Sequence, residues 1–67
     1  MEQNFKISLK AARVNAGLTL DQVSKALRIS KATLIQYEKG RSYPTMKTVR
    51  NMCDLYNISV DHVSILA

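Results

Sequence analysis

The chain has 67 residues and a mass of 7.5 kDa, which leaves room for one domain with one small core. Hydrophobic residues make up 46% and charged residues 22%, ordinary globular usage that excludes wholesale disorder. Ten Lys and Arg against five Asp and Glu give a net charge of +5 and a pI near 9.7, a balance typical of nucleic-acid-binding domains and also of well-solvated surfaces.

Apolar residues recur at helical spacing and no segment alternates with period two for long, so five short helices and no strands are expected. The first runs from about Lys6 to Ala16, with Leu9, Ala12 and Ala16 on one face and Gly17 where a helix stops. The second opens on Thr19, with Gln22 three residues on as a capping box and Asp21 suited to the helix dipole. Its inward residues are Val23, Ala26 and Leu27. The third begins after Ser30, a second N-cap, carries Leu34 and Tyr37 inward and ends at Gly40. Residues 41–44 are loop, since Pro44 disfavours helix at Tyr43. Thr45 caps the fourth helix, whose Val49, Met52, Cys53 and Tyr56 form an i, i+3, i+4, i+7 stripe, and Asn57 supplies a left-handed stop. Ser59 caps the fifth, with Asp61 in its first turn and Val60, Val63 and Leu66 as apolar contacts. No repeat, linker or low-complexity tract divides the chain; one bundle over 6–66 with a short arm at 1–5 is expected.

Several classes of function fall away on inventory. One cysteine cannot form an internal disulfide, and one His with one Cys cannot supply a conventional zinc site. No apolar run approaches a membrane span, and the start MEQNFK lacks the charge and hydropathy of a signal peptide, so a reducing cytoplasm is the expected setting. With a single His, no Gly-rich phosphate loop and no paired carboxylates on a helix, an enzyme is not expected, nor a cofactor. Cys53 reads as a small core hydrophobe and His62 as an exposed residue without a special role. Tyr37 and Tyr56 read as packing residues with hydroxyls near the surface, Met46 and Met52 as core or rim filling, and Lys47 and Arg50 as a solvated face.

The basic excess is local. Residues 25–50 carry a net +6, while residues 51–67 carry −2. The segment from Gly17 to Gly40 reads as helix, short turn, helix, with the second helix basic at its start. That is the layout of a helix-turn-helix, whose second helix lies in the major groove with its N-terminal residues at base edges. Leu9 with Arg13, Gly17-Leu18-Thr19, Val23, Leu27, Ile29-Ser30, Thr33-Leu34, Tyr37-Glu38, Gly40, Pro44-Thr45 and Ile58-Ser59 with Asp61 make the chain resemble the lambda-repressor-like (XRE, Cro/repressor-type) helix-turn-helix domains over nearly its whole length.

The resemblance implies an all-α, five-helix bundle, sequence-specific binding of double-stranded DNA, and transcriptional control by weak homodimers on palindromic operators, in a bacterial cell or a phage-infected host. Position by position it implies base reading by Lys31, Ala32 and Gln36 on a recognition helix at about 31–39. Lys31 suits guanine O6 and N7, Gln36 suits adenine, and Ala32 suits a thymine methyl. It further implies backbone or groove-edge contacts from Arg13, Thr19, Ser30, Thr33, Lys39, Arg41 and Ser42. An Arg13–Glu38 salt bridge would then join the first and third helices and leave Arg13 partly free for phosphate. Tyr43, in the loop beside Arg41, is a further candidate for a phosphate or sugar contact. Two positions depart from the pattern: Leu20 stands where many relatives carry Gln, and Ile35 where many carry a small polar residue. If Leu20 and Ile35 are exposed together, a protein-interaction or antitoxin-like module on the same fold is the alternative. The apolar end, with Ile58, Val63, Ile65 and Leu66, is the candidate dimer surface or only the close of the core.

Overall fold

The computed structural model describes residues 5–65. Its elements in chain order are a two-residue strand β1 (Ile7–Ser8), helices α1 (Leu9–Asn15), α2 (Leu20–Leu27), α3 (Lys31–Glu38) and α4 (Met46–Tyr56), a 3-10 turn (Val60–His62) and a second short strand β2 (Val63–Ser64).

Each helix starts on a hydroxyl. Ser8, Thr19, Ser30 and Thr45 all have extended backbones, and each accepts a hydrogen bond from the N–H three residues on. This satisfies one of the free donors of every first turn. At Thr19 the capping box is complete: Thr19 Oγ1 accepts from the Gln22 N–H at 3.1 Å, and Gln22 Oε1 accepts from the Thr19 N–H at 2.9 Å. Each helix also stops the same way, at a left-handed residue: Gly17, Arg28, Gly40 and Asn57. The N–H of the next residue then reaches back five positions, as from Leu18 to the Arg13 carbonyl and from Arg41 to the Gln36 carbonyl.

Leu9, Ala12, Val23, Leu34, Val49, Met52, Cys53, Tyr56 and Val63 form one buried cluster drawn from all four helices and β2. Leu20, Leu27, Ile29, Tyr37, Ile58 and Ile65 pack partly buried against it. The α4 stripe is fully internal, as its spacing predicts.

The expected fifth helix is a correction. Among the described residues there are four α-helices, and the segment after Ser59 makes one 3-10 turn before extending into β2. β2 pairs in parallel with β1, Ile7 opposite Val63 and Ser8 opposite Ser64. The reason is β-branching: Ile58, Val60, Val63 and Ile65 crowd a helix but fit a pleated segment. The same pairing shortens the first helix, which starts at Leu9 rather than Lys6, because Ile7 is in the ladder and Ser8 is the cap.

Smaller corrections follow from the helix ends. Ala16 is the exposed cap of α1, not a core residue. The inward stripe of α2 is Leu20, Val23 and Leu27, which leaves Ala26 outside. Met46 is exposed while Met52 is internal. His62 is half-buried and stacks on Phe5, ring centres 4.3 Å apart. The Tyr56 ring and hydroxyl are both buried, and the hydroxyl has no hydrogen-bond partner among the described residues.

Candidate nucleic-acid interface

The α2–turn–α3 unit is positioned from three sides. Arg28 adopts the left-handed conformation (φ 58°), which turns the chain out of α2, and Ser30 opens α3 two residues later. The Ser30 hydroxyl accepts from the Thr33 N–H at 3.0 Å and donates to Thr33 Oγ1 at 2.8 Å. The third constraint is a guanidinium. Arg13 Nε donates to Glu38 Oε2 at 2.7 Å, Nη2 donates to Oε1 at 3.3 Å, and Nη1 donates to the Leu18 carbonyl at 2.9 Å. One side chain thus ties α1, the α1–α2 turn and the last residue of α3 together. Both charged side chains are 10% exposed or less. The Glu38 hydrogen bond raises the Arg13 pKa further above its ordinary value, so the charge is permanent.

With Leu34 facing the core, α3 and its C-cap turn Lys31, Ala32, Ile35, Gln36 and Lys39 outward, Lys31, Ala32 and Lys39 exposed and the other two half-buried. Three of these are the residues expected to read bases. Arg41, Ser42 and Tyr43 are exposed on the loop that follows, held at its far end by buried Pro44. Thr19 is exposed beside the start of α2, though its hydroxyl oxygen is engaged in the capping box. Arg13 is the exception among the expected phosphate-side residues, since most of its guanidinium is inside.

Two features were not foreseen. Lys31 Nζ lies 3.3 Å from Asp21 Oδ1, across the turn from α3 to α2, and Lys25 Nζ lies 3.6 Å from Asp21 Oδ2. The hydrogen bond and charge of Lys31, and then the charge of Lys25, hold the Asp21 carboxyl below its usual range. The 21–25 spacing is a readable i, i+4 pair, but nothing local announces the 21–31 contact, which exists only once the helices pack. The second feature is Lys10. It joins Arg13, Leu20, Ile35, Glu38 and Lys39 around a hollow of about 320 Å³. Its place three residues before Arg13 on one helix face is a signal the sequence carries.

Of the apolar end, Ile58 and Ile65 are half-buried against the core, whereas Val63 is buried in it. Val63 is therefore a core residue rather than a surface for a second copy, and Leu66 lies outside the described residues. Among the described residues no helix is long and apolar enough to cross a membrane.

Comparison with known proteins gives the family. The chain is 34% identical over 55 residues to the HTH-type transcriptional regulator ImmR of Bacillus subtilis (strain 168), covering 82% of this chain and 43% of that protein. It is 27% identical over 56 residues to the cryptic phage CTXphi transcriptional repressor RstR of Vibrio cholerae, covering 84% and 50%. It is 24% identical over 59 residues to the HTH-type transcriptional activator BcrR of Enterococcus faecalis, covering 88% and 29%. The chain spans half or less of the length of each of these relatives. No solved structure matches it significantly. The family model for the helix-turn-helix matches residues 9–63, from the first residue of α1 to the first of β2, and the chain belongs to that family.

Proposed function

We propose that this domain binds double-stranded DNA sequence-specifically and serves a transcriptional regulator, with α3 in the major groove. The observation that carries this reading is the outward face of α3, set at both ends by the Ser30 cap and the Arg13–Glu38 pair. A helix fits the major groove, and a helix presented this rigidly keeps the same side chains at the base edges on every encounter. Lys31, Ala32 and Gln36 are the base readers. Lys39, Arg41, Ser42 and Tyr43, with Thr19, Ser30 and Thr33 near the N-termini of α2 and α3, meet the phosphates. Arg13 acts mainly through Glu38, by fixing α3. A module of this size buries only about 600–1,000 Å² on DNA, so a weak homodimer on a palindromic site, using Ile58 and Ile65, raises the affinity to a specific range. The setting is the cytoplasm.

A second reading has one observation behind it. Leu20 and Ile35 line the same hollow, and an apolar floor there suits a protein partner, as in an antitoxin-like module.

The deciding experiment is a titration into a fluorescent DNA duplex of mixed sequence at about 50 and 200 mM salt, the range over which phosphate-dominated binding changes most. Binding that is tight at low salt and collapses at high salt supports the DNA reading. No binding at low salt overturns it in favour of the partner. On a site selected from a random library, Lys31→Ala and Gln36→Ala each weaken binding by about 1–3 kcal/mol. Arg41→Ala weakens all sequences alike and reduces the salt slope by about 1.

A further inference from the structure

Asp21 is placed where an acidic residue ought to be harmful. It stands in the first turn of α2, beside the N-terminus of the helix expected in the groove, on a chain whose Asp and Glu number five. The helix dipole explains an acid in the first turn, but not the contact it makes. Oδ1 faces the Lys31 ammonium at 3.3 Å and Oδ2 faces that of Lys25 at 3.6 Å. All three side chains are more than half exposed, so these pairs add little to the fold. Their consequence lies in what the ammonium is free to do. Lys31 is the first residue of α3, and in the unbound protein its charge is already engaged.

We propose that Asp21 is a specificity-determining residue: its carboxylate occupies the Lys31 ammonium until DNA offers acceptors good enough to replace it. Guanine O6 and N7 together are such acceptors, and the exchange leaves Lys31 paired. A base pair without them leaves Lys31 on Asp21, one cationic contact is not made, and the carboxylate repels nearby phosphate. Asp21 thus holds down non-specific binding more than specific binding. The inference rests on the DNA-binding reading above.

The test is a double-mutant cycle with wild type, Asp21→Asn, Lys31→Ala and the double variant on the mixed-sequence fluorescent duplex and on the selected site. On the selected site Asp21→Asn is expected to tighten binding less, and equal tightening on both DNAs overturns the proposal. Asp21→Asn is expected to tighten non-specific binding about two- to fivefold and to steepen the salt slope by up to about 0.9, the contribution of one further phosphate contact. In the Lys31→Ala background the same substitution gives a clearly smaller change in both, because the Lys31 cation is gone and only the lost carboxylate repulsion and the freed Lys25 remain. Equal tightening in both backgrounds overturns the proposal and makes Asp21 a general repulsive charge. No tightening in either also overturns it. Failure of wild type and Asp21→Asn alike to bind at low salt is a different result, and it removes the DNA reading itself. Thermal melts of the four proteins are expected to lie within several degrees of one another, all folded at the titration temperature, which separates the effect from folding.

Discussion

The Arg13 guanidinium donates to Glu38 and to the Leu18 carbonyl from an environment only 10% exposed, so its removal and the removal of its partner differ in kind. Glu38→Ala leaves a charge buried without its counter-ion, which costs about 3 kcal/mol and lowers Tm by at least ~10 °C in a domain of this size. A circular-dichroism melt reads this directly, and a shift under a few degrees would mean that water reaches the pair. Tyr56 is the opposite case, a buried hydroxyl with no partner among the described residues. Tyr56→Phe removes an unpaired polar group and is expected to leave stability unchanged or raise it by about 1 kcal/mol in urea denaturation. Burial also pushes the hydroxyl from 10.0 up to about 12. A raised pKa in the folded state contributes fully below the unfolded value and is lost as pH rises through the folded one. Wild type therefore loses on the order of 2 kcal/mol between pH 10 and 12 from this group, and Tyr56→Phe loses that much less. The Arg13–Glu38 pairing followed from family resemblance at the sequence level. The state of the Tyr56 hydroxyl did not, because an α4 stripe says which way a ring points and not how far in it goes.

At the scale of elements, three of the four helix starts and three of the four stops were legible. A hydroxyl residue before an apolar-periodic run marks a cap whatever the tertiary structure, and Thr19, Ser30 and Thr45 open helices where the pattern puts them. Gly17, Gly40 and Asn57 are stops for an equally local reason, since each tolerates a positive φ. Arg28 gives no such sign, yet α2 must turn within two residues to let Ser30 cap α3. The backbone there carries a cost of about 1 kcal/mol that glycine would not pay. Arg28→Gly is accordingly expected to raise stability by about that amount in urea, and a loss instead would show that the Arg28 side chain contributes packing. The fifth helix expected after Ser59 fails over 60–64 for a related reason. Apolar spacing in a short segment fits a helix turn or a strand, and only β-branching hints at which.

For the whole molecule, the pairing of β1 with β2 joins the two ends of the described chain around the helices. Val63 sits at this junction, opposite Ile7 and inside the core. Val63→Ala opens a cavity there and is expected to cost about 2 kcal/mol. Amide exchange should quicken at Ser8 and at Ser64 together, because one ladder holds both ends. Quickening at Ser64 alone would show that α1 holds β1 without its partner. The charge distribution is also a property at this scale. The +6 of residues 25–50 is a composition fact, but it becomes a local basic surface only because Lys31, Lys39 and Arg41 emerge on and beside one helix face.

The sequence by itself placed four of the five helices expected of it, the caps at Thr19, Ser30 and Thr45, the α4 core stripe and the helix-turn-helix, because each rests on local chemistry or on a period of 3.6 residues. Tertiary structure decided the rest: that the last apolar segment extends to pair with the first, that Val63 is core, that Leu20 packs inward, and that Asp21 reaches Lys31. None of these is encoded by spacing, since each depends on residues far apart in the chain competing for one place, and packing settles that competition.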